Sequence, residues 1–342
     1  MKQQVMINPG EIIFNEVEVP EVKPNQVKIK MMNIGVCGSD IHVYHGKHPF
    51  TKYPVTQGHE VSGEITELGS EVSNRLHVGQ KVTVEPQIYC GKCYPCRHGK
   101  YNLCEELKVM GFQSTGMASE YFVVDESKVT ELPDDMSFVH GAMIEPLAVA
   151  VHAVKQMGDV TGLKVVVLGA GPIGNLVAQT AKGMGAAEVM ITDISKLRLD
   201  IAKKCGVDYC INTKDKDFGD AMIEWFGPDK ADVIYDCAGN NTTMGQAIKY
   251  ARKGSVIVLV AVFAGMAEID LAVANDHELD IKSTMMYRHE DYVDAISLVN
   301  EGKVVLEPLV TKSFSFDKYL DAYKFIDEHR EEAMKIIIND QE

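Results

Sequence analysis

The chain has 342 residues, of which 46% are hydrophobic and 24% charged, and 49 acidic residues outnumber 34 basic ones to give a net charge of −15. This length predicts two domains of roughly 150–200 residues each, and the negative charge argues against nucleic acid as a partner. The N-terminus has no long apolar segment and the chain has no apolar run of about 18 residues. We therefore expect a cytoplasmic protein without a membrane anchor.

The distribution of strand and helix patterns divides the chain. Up to a boundary near Met143 to Met157, β-branched residues in period-two alternation predict strands at 27–31, 61–68 and 80–84. From Gly158 onward, apolar strands alternate with helical patterns, which is typical of βαβ units and a parallel sheet. The segment 316–338 reads as helical stretches followed by a short strand at 334–338, and we expect this tail to return to the first domain.

One group of candidate metal ligands lies in the strand-rich part. Cys37 and His42 fall within one turn of each other, and His59 and Glu60 follow about a strand later. Sulfur, imidazole and carboxylate together suit a zinc ion that keeps a position open for water or substrate. On this stretch alone, a buried structural cysteine and a His-Glu pair that merely ends a strand are open alternatives.

A second group consists of cysteines alone: Cys90, Cys93, Cys96 and Cys104. Four thiolates within fifteen residues can close a tetrahedral site and leave no position for a substrate. This spacing predicts a structural zinc that orders a polar, glycine-containing loop, here taken as about 88–106. An iron–sulfur cluster and free thiols are the alternatives. The chain has eight cysteines, and because four of them lie in this cluster they indicate metal ligands in a reducing compartment rather than a disulfide framework.

A glycine-rich loop follows the apolar run 164–168. It consists of Gly169, Gly171, Pro172, Ile173 and Gly174, and an acidic residue, Asp193, ends the next predicted strand. A strand, a G-x-G-x-x-G turn, a helix and a later carboxylate meet the conditions for a dinucleotide site, because the glycines let the backbone approach pyrophosphate at a helix N-terminus. A tight turn that binds no ligand is the alternative.

Taken together, these motifs resemble those of the zinc-dependent medium-chain dehydrogenases over nearly the whole chain. The resemblance rests on 35–42, on 58–60, on the cysteine lobe, on 145–152 and on 169–174. Glu145 in place of a cysteine ligand, together with the Gly58-His59-Glu60 run, is more similar to the sorbitol, threonine, vicinal-diol and sugar-acid dehydrogenases than to the ethanol dehydrogenases.

The resemblance implies an α/β fold: a GroES-like, β-rich catalytic domain formed by 1–150 and 285–342, and a Rossmann domain with a doubly wound parallel sheet formed by 151–284. It also implies two Zn²⁺ per chain and NAD. Cys37 and His59 would hold the catalytic zinc, with either Glu60 or Glu145 as third ligand.

Further roles follow from the same resemblance. Asp40 would accept a hydrogen bond from His59 and orient its ring. Ser39 and His42 would pass the proton of the alcohol to solvent, although an ordinary surface histidine is an open alternative for His42. His45, His48, His140 and His152 are interpreted as ordinary residues.

The implied activity is hydride transfer between NAD and a secondary alcohol, namely a polyol, a vicinal diol or a sugar acid. Oxidation of an amino alcohol, as by L-threonine 3-dehydrogenases, is an alternative. A zinc hydrolase would leave the glycine loop unused, and an NAD-sensing protein would leave the open zinc site unused. Sorbitol itself is in doubt, because Met286 stands where sorbitol dehydrogenases carry an arginine. Arg288, two residues later, would suit a carboxylate on the substrate or form a surface salt bridge.

Two further expectations concern cofactor choice and assembly. Asp193 at the strand end would accept hydrogen bonds from the ribose of NAD and repel the 2′-phosphate of NADP, whereas Lys196 and Arg198 could reach that phosphate. Arg198 is therefore included among the cofactor-binding residues. The resemblance implies a homodimer or homotetramer, with an edge strand near 267–271 pairing across a two-fold axis.

Overall fold

The computed structural model of the protein describes residues 1–263 and 265–340. These form two compact units. Unit 1 comprises Met1–Glu145, Arg288–Ile296 and the chain from Val310 onward, and unit 2 comprises Pro146–Tyr287 and Ser297–Leu309. The domain bounds given above from the sequence remain a prediction.

The elements of unit 1 begin at the N-terminus. In chain order they are β1 (Lys2–Asn8), β2 (Glu11–Glu16), β3 (Gln26–Val36), α1 (Gly38–Tyr44), β4 (Glu60–Leu68), β5 (Lys81–Val84), β6 (Gln87–Ile88), α2 (Tyr94–Arg97), β7 (Lys108–Val109), β8 (Tyr121–Asp125), β9 (Val129–Glu131) and α3 (Phe138–Ala142).

The elements that follow belong mostly to unit 2. They are α4 (Ile144–Lys155), β10 (Lys164–Leu168), α5 (Pro172–Gly183), β11 (Glu188–Asp193), α6 (Lys196–Lys204), β12 (Tyr209–Asn212), α7 (Phe218–Phe226), β13 (Val233–Asp236), α8 (Asn241–Tyr250), β14 (Val256–Leu259), α9 (Leu271–Asp276) and β15 (Asp280–Ser283). The chain ends with α10 (His289–Asn300), β16 (Val310–Ser315), α11 (Tyr319–Glu328) and β17 (Lys335–Asn339).

The main sheet of unit 1 has seven strands. Its order is β16-β17-β3-β4-β5-β9, and β8 also pairs with β3. Along β3, the buried Val27, Ile29 and Met31 alternate with the partly exposed Lys28 and Lys30, so that one face of the strand enters the core. The C-terminal strand β17 runs antiparallel to β3. The tail of the chain thus joins the sheet that begins with β3.

The sheet of unit 2 has six parallel strands in the order β12-β11-β10-β13-β14-β15. The central strand β10 is almost continuously apolar, and Val165 to Leu168 are fully buried, as expected for a strand covered on both faces. This strand order is that of the Rossmann fold. The predicted fold class is confirmed.

One expectation about the secondary structure is wrong. The segment 267–271 contains no strand: residues 267–270 are irregular and Leu271 begins α9. Asp270 caps that helix by accepting hydrogen bonds from the amides of Ala272 and Val273, which ends any extended conformation there. The edge of the sheet is β15 instead.

Among the described residues, no helix has the length and apolar character needed to cross a bilayer.

Candidate metal and nucleotide sites

Three of the predicted zinc ligands meet in unit 1. Cys37 directly precedes α1, His59 directly precedes β4, and Glu60 is the first residue of β4, which pairs with β3. One ligand atom from each of these residues lies within 4.8 Å of the other two. Because β3 ends at Val36 and β4 begins at Glu60 directly opposite Gly35, the strand register brings these distant residues together. We call this group the mixed site. Its donors, a thiol, an imidazole and a carboxylate, fit a zinc ion with one position left open.

Asp40 lies behind His59, and the predicted hydrogen bond between them remains a prediction. Its Oδ1 is 3.4 Å from His59 Nδ1, and both side chains are buried. Its Oδ2 accepts a hydrogen bond of 2.9 Å from the amide of Cys37. Asp40 therefore touches two members of the mixed site. Burial lowers the pKa of His59, but the charge of Asp40 and the nearby Cys37 outweigh it and raise the pKa.

Glu60 has a partner that the sequence did not indicate. Lys335 Nζ donates hydrogen bonds to both Glu60 oxygens, at 2.8 and 2.7 Å, and also lies 3.4 Å from the carbonyl oxygen of Val36. The side chains of Lys335 and Glu60 are only 3% and 1% exposed. Burial alone would lower the pKa of Lys335, but Glu60 and Cys37 raise it. Two hydrogen bonds from a buried cation thus hold the Glu60 carboxylate beside Cys37.

The other predicted residues of this site occupy different positions. Glu145 is buried in the first turn of α4, and its negative charge helps to raise the pKa of Lys335. Among the described residues, it is not grouped with the three ligands of the mixed site. Ser39 is half-buried and His42 is exposed, and both lie on α1. The helix thus leads from a sheltered hydroxyl to a solvent-exposed imidazole.

His48, interpreted above as ordinary, belongs to the surroundings of the mixed site. Its ring stacks on Phe112 with ring centres 4.8 Å apart, and Phe112 packs against His59 at 4.9 Å. Its Nδ1 is 2.8 Å from Thr51 Oγ1. Burial and the neighbouring His42 lower the pKa of His48. Phe112 and Phe50 also line a cavity of about 780 Å³ together with polar side chains that include Lys52, Gln113 and Thr115.

The four predicted structural ligands form a separate cluster. Ligand atoms of Cys90, Cys93, Cys96 and Cys104 all lie within 4.8 Å of one another. The amide of Cys90 donates to Cys104 Sγ at 3.2 Å, and that of Cys93 to Cys90 Sγ at 3.4 Å, as suits thiolates. Backbone hydrogen bonds lower the pKa of Cys93 to about 6, whereas burial and the neighbouring thiols raise that of Cys96 to about 12. The set fits a zinc ion fully enclosed by sulfur.

The glycine loop of unit 2 connects β10 to α5. Gly169 has φ of +96°, which favours glycine, and a Cβ added at Gly174 would come closer than 3.0 Å to the carbonyl oxygen of Gly169. Pro172 begins α5 and Gly171 precedes it without a capping side chain. The amides of this helix end are therefore available to an anion such as pyrophosphate.

Asp193 both ends β11 and holds this loop. Its Oδ2 accepts from the amide of Ala170 at 2.7 Å, and its Oδ1 accepts from the amides of Ile194 and Ser195 at 2.7 and 2.8 Å. Arg198 Nη1 lies 3.9 Å from Asp193 Oδ2. Because Oδ1 already accepts two hydrogen bonds and Oδ2 only one, Oδ2 can still accept a further hydrogen bond from a ribose hydroxyl.

Of the two possibilities for Arg288, the structure has the salt bridge. Its Nε lies 3.1 Å from Glu290 Oε1, and the two side chains are 33% and 52% exposed. Met286, two residues earlier, has φ of +50°.

Sequence reasoning missed three residues around the mixed site: Lys335, Gln57 and Tyr323. One signal for Lys335 was available, because a lysine that opens an apolar strand needs an anionic partner if it is buried. The sequence gives no such signal for Gln57 and Tyr323, because an uncharged amide or phenol can be buried without a charged partner.

Two protein-family domains match consecutive parts of the chain, and several known dehydrogenases match nearly all of it. An alcohol dehydrogenase GroES-like domain matches residues 23–134, and a zinc-binding dehydrogenase domain matches residues 172–301. Sorbitol dehydrogenase of Halalkalibacterium halodurans is 38% identical over 345 residues, covering 99% of each chain. L-idonate 5-dehydrogenase of Vitis vinifera is 35% identical, covering 88% of this chain and 84% of its own. The crystal structure of 2R,3R-butanediol dehydrogenase from Bacillus subtilis superposes with a TM-score of 0.91 at 31% identity, covering 99% of each chain.

The fold and these matches define a zinc-binding alcohol dehydrogenase. The chain belongs to the zinc-dependent medium-chain dehydrogenase family, in its sugar and polyol branch.

Proposed function

We propose that the protein oxidises a secondary alcohol of a polyol, a vicinal diol or a sugar acid and transfers the hydride to NAD. The observation that carries this proposal is the mixed site: three donors of different chemistry, distinct from a closed set of four cysteines, in a chain that also has a dinucleotide-binding fold. The relatives that act on sorbitol, idonate and butanediol support the substrate class.

Cys37, His59 and Glu60 would hold the catalytic zinc. When bound there, zinc supplies Lewis acidity that lets an alcohol lose its proton near neutral pH. Proximity favours Glu60 over Glu145 as the third ligand, since Glu60 is the carboxylate grouped with Cys37 and His59. Lower zinc content in Glu60→Gln than in Glu145→Gln would support this order.

The chain's own side chains then handle the proton. Ser39 would receive it from the substrate hydroxyl, and His42 would release it to solvent from the exposed side of α1. Lys335 would hold the Glu60 carboxylate in place through two hydrogen bonds, and Asp40 would keep the His59 ring oriented.

The cofactor choice follows from Asp193. Its carboxylate, fixed by three backbone amides, would lie a few Å from a 2′-phosphate. Such repulsion costs roughly 1–4 kcal/mol at an effective dielectric between protein surface and water, or about one to three decades in affinity. Arg198 at 3.9 Å offsets part of the charge without removing it.

This choice is tested by comparing kcat/KM for NAD and NADP on one accepted alcohol. We expect wild type to prefer NAD, Asp193→Asn to narrow the ratio, and Arg198→Ala to widen it. Asparagine is a better replacement than serine for this test, because it removes the charge but keeps a side-chain oxygen that can accept from the amides of Ile194 and Ser195. A wild-type preference for NADP, or an unchanged ratio in Asp193→Asn, would contradict the assignment.

The activity itself is tested with purified protein, NAD and a panel of polyols, vicinal diols, sugar acids and amino alcohols. Growth of the near-ultraviolet NADH band with one of the first three groups supports the proposal. A response confined to amino alcohols would instead favour a threonine dehydrogenase type. No response across the panel would contradict the substrate class.

We further propose a homodimer or homotetramer in the cytoplasm. Large apolar side chains from the end of β14 to the start of α9 support the assembly, since Val262, Met266 and Leu271 are strongly exposed in the isolated chain. Light scattering at micromolar concentration tests it, and a monomer would contradict it. The free cysteines are consistent with a reducing compartment.

A further inference from the structure

A chain of buried polar side chains leads away from the mixed site. Asp40, which touches His59 and Cys37, also accepts a hydrogen bond of 3.2 Å from Gln57 Nε2 at the same Oδ1 that faces His59. Gln57 is fully buried, and its Nε2 lies 3.4 Å from the carbonyl oxygen of Asp40 as well. The side-chain amide of Gln57 therefore contacts both the carboxylate and the backbone carbonyl of Asp40.

The other end of the same amide is also held. Tyr323 on α11 donates from its hydroxyl to Gln57 Oε1 at 2.9 Å. A side-chain amide donates only through nitrogen and accepts only through oxygen, so a phenol that donates to Oε1 keeps Nε2 directed at Asp40. Burial raises the pKa of Tyr323, and the phenol remains a donor across neutral pH.

Tyr323 itself has little freedom to move. Its ring stacks on Tyr319 with centres 5.4 Å apart, and Tyr44 packs against it at 5.4 Å. Tyr319 and Tyr323 are fully buried. The backbone of Gln57 is fixed separately, because its amide donates to Gln4 Oε1 at 3.0 Å. The hydrogen-bonded chain from Asp40 through Gln57 to Tyr323 thus ends in a cluster of three tyrosines, two of them on α11.

We infer that Gln57 and Tyr323 are positioning residues of the mixed site, which act through Asp40 to fix the His59 ring as a zinc ligand. The inference rests on the proposed function, since it takes the mixed site to hold zinc. Without the Gln57 amide, Asp40 loses a buried donor and a constraint on its rotation, so the carboxylate that faces His59 Nδ1 is no longer held in place to fix the tautomer of the ring. Loss of such an outer partner typically weakens metal binding about 10–100-fold.

The test uses the full chain with both zinc ions and follows their release to a chromogenic chelator. Cys37→Ser and Cys96→Ser assign the two release phases. In Gln57→Met we expect the mixed-site phase to accelerate about 10–100-fold, with a smaller acceleration in Tyr323→Phe. The phase of the four cysteines should not change, so that each molecule carries its own control. Cobalt introduced at the mixed site should show a shifted visible absorption spectrum in both variants.

Tyr292→Phe is the matched control. Tyr292 is also a fully buried tyrosine of unit 1, and its hydroxyl donates to the carbonyl oxygen of Val84 at 3.3 Å. Removal of this hydroxyl should leave the mixed-site phase unchanged.

Three results would overturn the inference: an unchanged mixed-site phase in Gln57→Met, equal acceleration of both phases, or an equal effect of Tyr292→Phe. If Gln57→Met fails to fold, Tyr323→Phe decides, since it removes one oxygen atom only. A wild-type protein that binds a single zinc, unaffected by Cys37→Ser, would refute the mixed site itself and the inference with it.

Discussion

Gly35 shows how a single hydrogen atom in place of a side chain shapes the mixed site. It pairs with Glu60 across β3 and β4, and a Cβ there would lie closer than 3.0 Å to Glu60 Oε2. The carboxylate can bend toward Lys335 and Cys37 only because residue 35 has no side chain.

We therefore expect Gly35→Ala to displace the Glu60 carboxylate and to lower both zinc content at the mixed site and turnover. Gly38→Ala is the control, because a Cβ at Gly38 meets nothing within 4 Å. Metal analysis and steady-state rates of both variants check this. Equal behaviour of the two would show that Glu60 is not sterically fixed.

Thiol chemistry distinguishes the cysteines after zinc has been removed. The pKa of Cys93 is lowered to about 6, and burial raises those of Cys205 and Cys210 to about 11. Because the thiolate is the nucleophile, Cys93 is almost fully reactive above its pKa, whereas the reaction of the other two rises with pH up to about 11.

In chelator-treated protein at pH 7.5, iodoacetamide should modify Cys93 roughly tenfold or more faster than Cys205 and Cys210, after allowance for the weaker nucleophilicity of an acidic thiol. Peptide mass spectrometry over time measures this. Zinc should protect Cys93 and leave the other two rates unchanged. Faster modification of Cys205 would contradict the burial that the structure assigns to it.

At the scale of elements, the sequence predicted the strands that carry strong patterns. Alternation at 27–31 and the apolar runs at 164–168 and 189–193 correspond to β3, β10 and β11. Local patterns report how a segment is buried, and for these strands burial decides the structure.

Contacts made by the tail were not predictable in the same way. Lys335 on β17 and Tyr323 on α11 reach Glu60 and Gln57 across 275 and 266 residues of sequence. No local pattern encodes such pairing, because it is set by the order of strands in the finished sheet. The segment 267–271 was predicted wrongly for a different reason: the family resemblance implied an edge strand there, whereas the side chain of Asp270 caps a helix.

The contact between β17 and β4 yields a stability prediction. In metal-depleted protein, Lys335→Met would leave the Glu60 charge buried without its partner, which costs about 3–5 kcal/mol. Adding Glu60→Gln should recover most of this loss. Because the pKa of Lys335 is raised, its contribution is present below its ordinary pKa and disappears as pH rises through the folded-state value.

Urea denaturation of the chelated protein measures these changes. Lys28→Met is the control, since Lys28 pairs with Glu67 between β3 and β4 at 2.5 Å but Glu67 is 53% exposed. That pair should contribute at most about 1 kcal/mol. Equal losses in the two lysine variants would contradict a special role for Lys335.

At the scale of the whole molecule, the chain keeps two kinds of metal chemistry apart. In the cysteine cluster, sulfur would fill all four ligand positions of a zinc ion, which suits a role in ordering the loop. The mixed site would leave one ligand position open, and hydrogen bonds connect it to the C-terminal segment. Unit 2 supplies the fold and the fixed glycine loop of a dinucleotide-binding protein. We therefore expect catalysis to depend on one zinc and folding on the other.

The most direct test measures zinc content, thermal stability and NAD-dependent turnover of wild type, Cys37→Ser and Cys96→Ser on the same alcohol. We predict two zinc ions in wild type. Cys37→Ser should lose one zinc and its turnover while keeping its stability, and Cys96→Ser should lose stability or solubility, since structural zinc contributes folding energy. One zinc in fresh wild-type protein with a harmless Cys96→Ser, or full turnover in Cys37→Ser, would contradict the account.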